Sequence, residues 1–140
     1  EYITGINIPE IGIERVNRMY PIQSVFQAGG LIVGGSDWAV TTMNPLIAIE
    51  TAIRRQDPDD RLKGTLNKDE RMGLTEMLKA YTINAAYIMH QENITGSIEA
   101  GKFADLIILE RNLYDIPSNE ISEVRIMETI IEGKTVFKIE

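Results

Sequence analysis

A mixed α/β fold is predicted, on three observations. The first is a short apolar run, Leu31-Ile32-Val33, set between Gly29-Gly30 and Gly34-Gly35. The run is continuous rather than alternating, which suits a buried strand covered on both faces, as in a parallel sheet. The second is a series of segments around it whose apolar residues recur at helical spacing. The third is a change of character near residue 94, where β-type runs and turn residues replace the helical pattern. That change marks the expected boundary between a helical α/β part, residues 1–93, and a small β part, residues 94–140.

Taken in order, residues 1–12 are interrupted by Gly5, Pro9 and Gly12 and are expected to form a loop. Ile13, Val16, Met19 and Tyr20 then share one side of a short helix that Pro21 stops or kinks. Ile22, Val25 and Phe26 make a second amphipathic turn ahead of the glycines, so a helix feeds a strand, half of a βαβ unit. Beyond the strand lie Ser36, Asp37 and a loop over residues 38–43. Asn44-Pro45 has the form of an N-cap followed by proline at the first helical position. Leu46, Ile49, Ala52 and Ile53 carry the helix to Arg54-Arg55. Asp57-Pro58-Asp59-Asp60-Arg61 reads as a solvated surface loop. Asn67 and Glu70 have the spacing of a capping box, with Asn in place of the usual Ser or Thr.

Met72, Leu74, Met77, Leu78 and Tyr81 give the next helix its apolar side, with Gly73 inside it at a cost of about 1 kcal/mol relative to alanine. Thr82 is placed to cap a further helix through Asn84-Ala85-Ala86 to Met89, and the methionines are spaced as core filler. Gly96-Ser97-Ile98 and Gly101-Lys102 are turns that lead into a buried strand over residues 104–109. Residues 110–119, which include Pro117, are irregular. Residues 124–131 and 135–139 flank Glu132-Gly133-Lys134 and form a hairpin.

Composition narrows the function classes. At 140 residues the chain has the size of one domain and can bury a sizeable core. A formal net charge of −7 argues against a nucleic-acid surface, which needs clustered Lys and Arg. No apolar run approaches the ~20 residues that cross a bilayer, so no membrane partner is expected. With no cysteine there is neither a disulfide framework nor a thiolate metal site, which fits a cytoplasmic protein. His90 is the only histidine, so the chain holds no histidine cluster for zinc, and its place near a helix end suits a favourable C-terminal cation.

Groups just past the carboxyl ends of strands line the ligand crevice of α/β sheets and barrels, which makes Asp37 the candidate for chemistry. Asp is also a common turn former, so capping of the following turn is the alternative for Asp37. Trp38 beside it is either an aromatic wall at a pocket mouth or rim packing.

One set of motifs goes further. Tyr20-Pro21-Ile22, Ala28-Gly29-Gly30, Gly35-Ser36-Asp37-Trp38 and Asn44-Pro45-Leu46 resemble the end of a metal-dependent amidohydrolase. Ala80-Tyr81-Thr82-Ile83-Asn84-Ala85-Ala86 continues the resemblance, as do Gly96-Ser97-Ile98, Gly101-Lys102, Ala104-Asp105-Leu106 and Ile131-Glu132-Gly133-Lys134. The pattern is most similar to the family-3 amidohydrolases of the exoenzyme-regulator-like group. The resemblance implies the last part of a (β/α)8 TIM-type barrel with residues 31–33 as its eighth strand and residues 44–56 in the helix after it. A small β-sandwich portion would follow. It implies hydrolysis of amide or cyclic-amide C–N bonds in a small-molecule substrate by metal-activated water. Asp37 would touch a divalent metal, zinc by preference, and handle the proton of the attacking water.

The family's His-x-His and its other ligands are absent, and a whole barrel takes roughly 250 residues. The chain, which opens on Glu1 rather than Met, is therefore expected to be a C-terminal piece that is inactive alone and does not retain the metal. The competing expectation is a non-catalytic module that completes a partner subunit or self-associates as a homo-oligomer through orphaned edges.

Overall fold

The computed structural model describes residues 2–57 and 64–140, so positions 58–61 of the expected surface loop lie outside the described residues. Helical backbone, not a loop, opens the chain. A π-type turn over Tyr2–Asn7 runs into α1 (Ile8–Ile11). Pro9 lies in the first turn of α1, where its missing N–H has no intrahelical partner to lose. The residue that suggested a loop is thus compatible with a helix start. Helix α2 (Ile13–Val16) is shorter than the apolar spacing indicated, because Tyr20, the residue before Pro21, sits at φ 55° outside the helical region. Helix α3 (Ile22–Gln27) follows as expected.

Asn44 does cap α4 (Pro45–Arg54), its Oδ1 accepting the Leu46 N–H at 3.0 Å. Leu46, Ile49 and Ala52 are buried, as their spacing requires. Glu50 shares that face and is 1% exposed, which periodicity did not indicate. Its Oε2 accepts the Ser122 N–H at 2.9 Å, and Arg54 Nε lies 3.8 Å from Oε1. A buried carboxylate is costly unless donors reach it, so this pairing fixes how α4 docks on the 3-10 segment Ser118–Glu123. Replacing Asn44 by Ala should cost about 1 kcal/mol. Urea unfolding should report this as a lower midpoint at unchanged slope; an unmoved midpoint would mean Pro45 alone sets the helix start.

The expected capping box is not formed. Asn67 has φ 48° and its side chain caps nothing, while Lys68–Glu70 make a single 3-10 turn. The Glu70 carboxylate turns instead to Ser24, accepting from its N–H at 2.8 Å and from its hydroxyl. Those two bonds, the hydroxyl's first, hold the Glu70 carboxyl below the usual carboxylate range. A carboxyl held low in the folded state contributes stability that is present above its unfolded value of about 4.3 and is lost as pH falls through the folded value. Ser24→Ala should therefore lower stability near neutrality and flatten its fall below about pH 4. Urea midpoints measured from pH 6 down to 3 check this; parallel curves for the two proteins would remove the Ser24 contribution.

Gly73 is not inside the next helix. It is the N-terminal flank of α5 (Leu74–Ala80), with extended backbone at φ −79° and ψ 156°, so the expected helix-interior penalty does not arise. Helix α6 (Ile83–Ile88) begins after Thr82, whose hydroxyl donates back to the Leu78 carbonyl at 2.8 Å rather than capping α6. Leu46, Ile49 and Ala52 of α4, Met72, Met77 and Ala80, and Leu113, Ile121 and Val124 close one apolar core.

Strands β1 (Leu106–Leu109), β2 (Ile126–Ile131) and β3 (Lys134–Lys138) form an antiparallel sheet in the order β1-β2-β3, with Leu106 opposite Ile130 and Thr129 opposite Phe137. The hairpin is as expected. Its two-residue turn, Glu132-Gly133, has positive φ at both positions, the mirror-image turn that matches strand twist. The run at 104–109 is less buried than its composition suggested, since Ile107 and Ile108 are each 48% exposed on an edge strand. Asp105 locks this sheet to the preceding loop: it accepts from Glu132 N–H at 2.9 Å and from the Thr95 hydroxyl at 3.1 Å.

The larger correction concerns residues 31–33. They form no ladder with any described residue, and Leu31 is half exposed. A buried strand needs neighbours to take its N–H and C=O groups. None of β1, β2 or β3 pairs with this run. Among the described residues, no helix is long and apolar enough to cross a membrane.

Candidate functional site

The arm that leads to Asp37 begins where α3 ends. Gly29 and Gly30 fold back on that helix, their N–H groups donating to the Phe26 and Val25 carbonyls at 2.9 Å. Residues 31–35 then lie across the junction of α5 and α6. Asn84, in the first turn of α6, donates its side-chain N–H to the Ile32 carbonyl at 2.9 Å. The Gly34 N–H donates to the Ala80 carbonyl at 3.0 Å. Gly34 also rests on the Tyr81 ring so closely that a β-carbon there would stand 2.3 Å from a ring carbon. Burial pushes the Tyr81 phenol up from its ordinary pKa.

Asp37 heads the turn beyond this arm. It has φ 49°, and its carbonyl accepts the Val40 N–H at 2.7 Å, while the Thr41 hydroxyl donates to the Ser36 carbonyl. The turn is thus closed by backbone and Thr41, and the Asp37 side chain, which is exposed, is free of any capping bond among the described residues. Trp38 follows at 65% exposure. Asp37 and Trp38 are placed side by side on one exposed turn. His90 is elsewhere: it is exposed just past the end of α6, with its N–H on the Tyr87 carbonyl at 3.0 Å.

This is a single open carboxylate on a braced arm. Among the described residues no three of His, Cys, Asp and Glu come together in a way that could hold a metal. These residues alone do not fit a catalytic divalent ion, whose sites need several convergent donors. What Asp37 can do is accept or donate a proton at an exposed position. At the other end of the arm, Leu31, Ile83, Asn84, Tyr87 and Glu92 line an open cleft of about 430 Å³. Glu92 Oε2 is buried there with no hydrogen-bond partner among the described residues.

Asn84, Gly34 and Tyr81 were not singled out by sequence as site residues. The available signal was a polar amide between Ile83 and Ala85, on a helix otherwise apolar at that point.

Comparison with known proteins places these features in context. The model of the amidohydrolase family matches residues 4–137. The protein LONG AFTER FAR-RED 3 of Arabidopsis thaliana is 35% identical over 129 residues, covering 91% of this chain and 22% of that protein. The N-substituted formamide deformylase of Arthrobacter pascens is 32% identical over 116 residues, 83% of this chain and 21% of that protein. In shape, the chain is similar to an amidohydrolase from Thermotoga maritima, with a TM-score of 0.63 at 23% identity over 84% of this chain and 26% of that one. The chain therefore spans about a fifth to a quarter of the length of the relatives it matches.

Proposed function

The chain belongs to the amidohydrolase family, and from that premise we propose that it forms the C-terminal part of an enzyme hydrolysing amide or cyclic-amide C–N bonds, with Asp37 as the proton-handling group. Asp37 accepts a proton from the attacking water as the new C–O bond forms, and returns it to the nitrogen as the C–N bond breaks. The products are an acid and an amine, carried on one opened molecule when the amide is cyclic. A carboxylate suits both halves of that exchange, and positioned acid–base groups of this kind contribute about 10²–10⁴-fold. The observation that carries the reading is an exposed carboxylate, uncommitted to any cap, at the end of an arm fixed by Asn84 and Ala80.

In this reading residues 1–93 complete a (β/α)8 barrel, residues 31–33 find their neighbouring strands in polypeptide outside the described residues, and residues 94–140 enter a β-sandwich. Family members are generally metal-dependent. The zinc-type ion implied here would need ligands from beyond these residues, since Asp37 offers one carboxylate. Trp38, exposed beside Asp37, would in this reading contribute to the pocket rim. The N-substituted formamides acted on by the Arthrobacter relative are the first substrates to try. The test is to express the longer polypeptide that carries this chain and follow amine release from N-butylformamide and ring opening of a cyclic amide. Turnover that a chelator removes and zinc restores is expected. A folded, zinc-supplied protein that hydrolyses neither substrate would overturn the reading.

A second reading has one observation behind it. Leu31, Val40, Met43, Tyr87, Ile88 and Met89 are all more than a third exposed, which favours association through these faces. Sedimentation of this chain as a monomer at micromolar concentration would remove it.

A further inference from the structure

We propose that Asn84 is a positioning residue for Asp37, acting through the Ile32 carbonyl; the proposal rests on the reading of Asp37 given above. Residues 31–35 have no strand partner among the described residues, so the arm is not held by a sheet ladder. Two hydrogen bonds replace it: Asn84 Nδ2 to the Ile32 carbonyl, and the Gly34 N–H to the Ala80 carbonyl. They grip alternate residues of the arm from one side, and the Tyr81 ring supports Gly34 from below with no room for a β-carbon. Only Gly35 and Ser36 separate this grip from Asp37. Three residue steps span at most about 10 Å, so a shift at Ile32 or Gly34 passes with little loss to the carboxylate.

Of the two bonds, the Gly34–Ala80 bond is backbone to backbone and uses no side-chain group. The Asn84 bond depends on one amide, joining residues 52 positions apart in the chain. Asn84 is also on the wall of the open cleft beside Leu31, where water can reach the Ile32 carbonyl once the amide is gone. The arm then keeps its fold but loses its register. A misplacement of about 1 Å is enough to cost on the order of 10²-fold in rate. The expected signature is therefore catalytic, with the fold retained.

The experiment compares Asn84→Ala, Asn84→Asp and Asp37→Asn in the full polypeptide, with N-butylformamide as the probe. Asn84→Asp preserves shape but replaces the donor with an acceptor facing the Ile32 carbonyl. Both Asn84 variants are expected to lose roughly 10- to 100-fold in kcat with KM within about threefold. Hydrogen exchange should rise in residues 31–37 and stay unchanged in α4 and the hairpin. A loss that only scales with the folded fraction, leaving the exchange of the arm unmoved, would overturn the proposal. So would parental kcat in a folded Asn84→Ala protein, or failure of both Asn84 variants to fold. If Asp37→Asn keeps parental turnover, or the parent releases no amine, the reading of Asp37 fails and the proposal falls with it. If Asp37→Asn is inactive while Asn84→Ala is normal, only the positioning role is lost.

Discussion

Asp37→Asn in the longer polypeptide is expected to reduce kcat by about 10²–10⁴-fold, the range that a positioned acid–base group supplies. The substitution keeps the size and shape of the side chain and removes its ability to take a proton. Folding should be indifferent to it for two reasons. The Asp37 side chain is exposed and makes no capping bond among the described residues. Asn also tolerates the left-handed backbone that Asp37 adopts at φ 49°. The outcome should therefore be an inactive protein with an unchanged unfolding midpoint. KM is expected to change little, because the lost interaction belongs to the transition state. Steady-state kinetics paired with a urea titration decide it. Near-parental kcat would mean that Asp37 is only a turn residue; a large drop in stability would mean that its carboxylate is structural.

Gly96→Ala should lower stability by about 2–4 kcal/mol, from left-handed backbone strain and overpacking together. Gly96 has φ +86°, where a β-carbon is disfavoured. That β-carbon would also stand 2.6 Å from Ala86 Cβ, 3.0 Å from Ile83 Cα and 3.2 Å from the Thr82 carbonyl oxygen. Two of those three atoms are backbone and cannot move aside without shifting α6. Gly101 provides the internal control: it has φ +96°, but a β-carbon there would meet nothing within 4 Å. Gly101→Ala should cost only the conformational part, about 1 kcal/mol. Denaturant titration of the two variants separates the effects. Equal losses would mean that close approach to α6 contributes nothing at Gly96. Because whole domains are stable by only about 5–15 kcal/mol, the Gly96 variant should also express poorly at elevated temperature.

These two residues illustrate how legible the chain was before folding. Gly96 belongs to the Gly-Ser-Ile run that carried the resemblance, and its neighbours turn out to be occupied structurally. Lys102 Nζ donates to Ser97 Oγ at 2.5 Å and approaches Glu99 at 3.3 Å. Asp105 binds the hairpin turn through Glu132 N–H. The most specific motif therefore identifies the family while serving the fold. The least specific residue, a lone aspartate after an apolar run, is the one on which the chemistry is proposed to rest.

By itself, the sequence determined the features that depend on near neighbours in the chain. The Asn44 cap follows from one side chain and an N–H two residues on, the apolar face of α4 from helical spacing, and the hairpin from alternating residues around a two-residue turn. Each is a local interaction that a short window contains. Tertiary structure decided everything that needs a distant partner. Glu70 left its capping box because Ser24 offered two donors, and Glu50 turned inward to the Ser122 N–H. Residues 31–33 pair with no described strand, and they were held instead by Asn84 and Ala80. The physical reason is the same in each case. A polar group takes the best donor or acceptor it can reach once the chain is folded, and that partner is set by the path of the backbone rather than by sequence spacing.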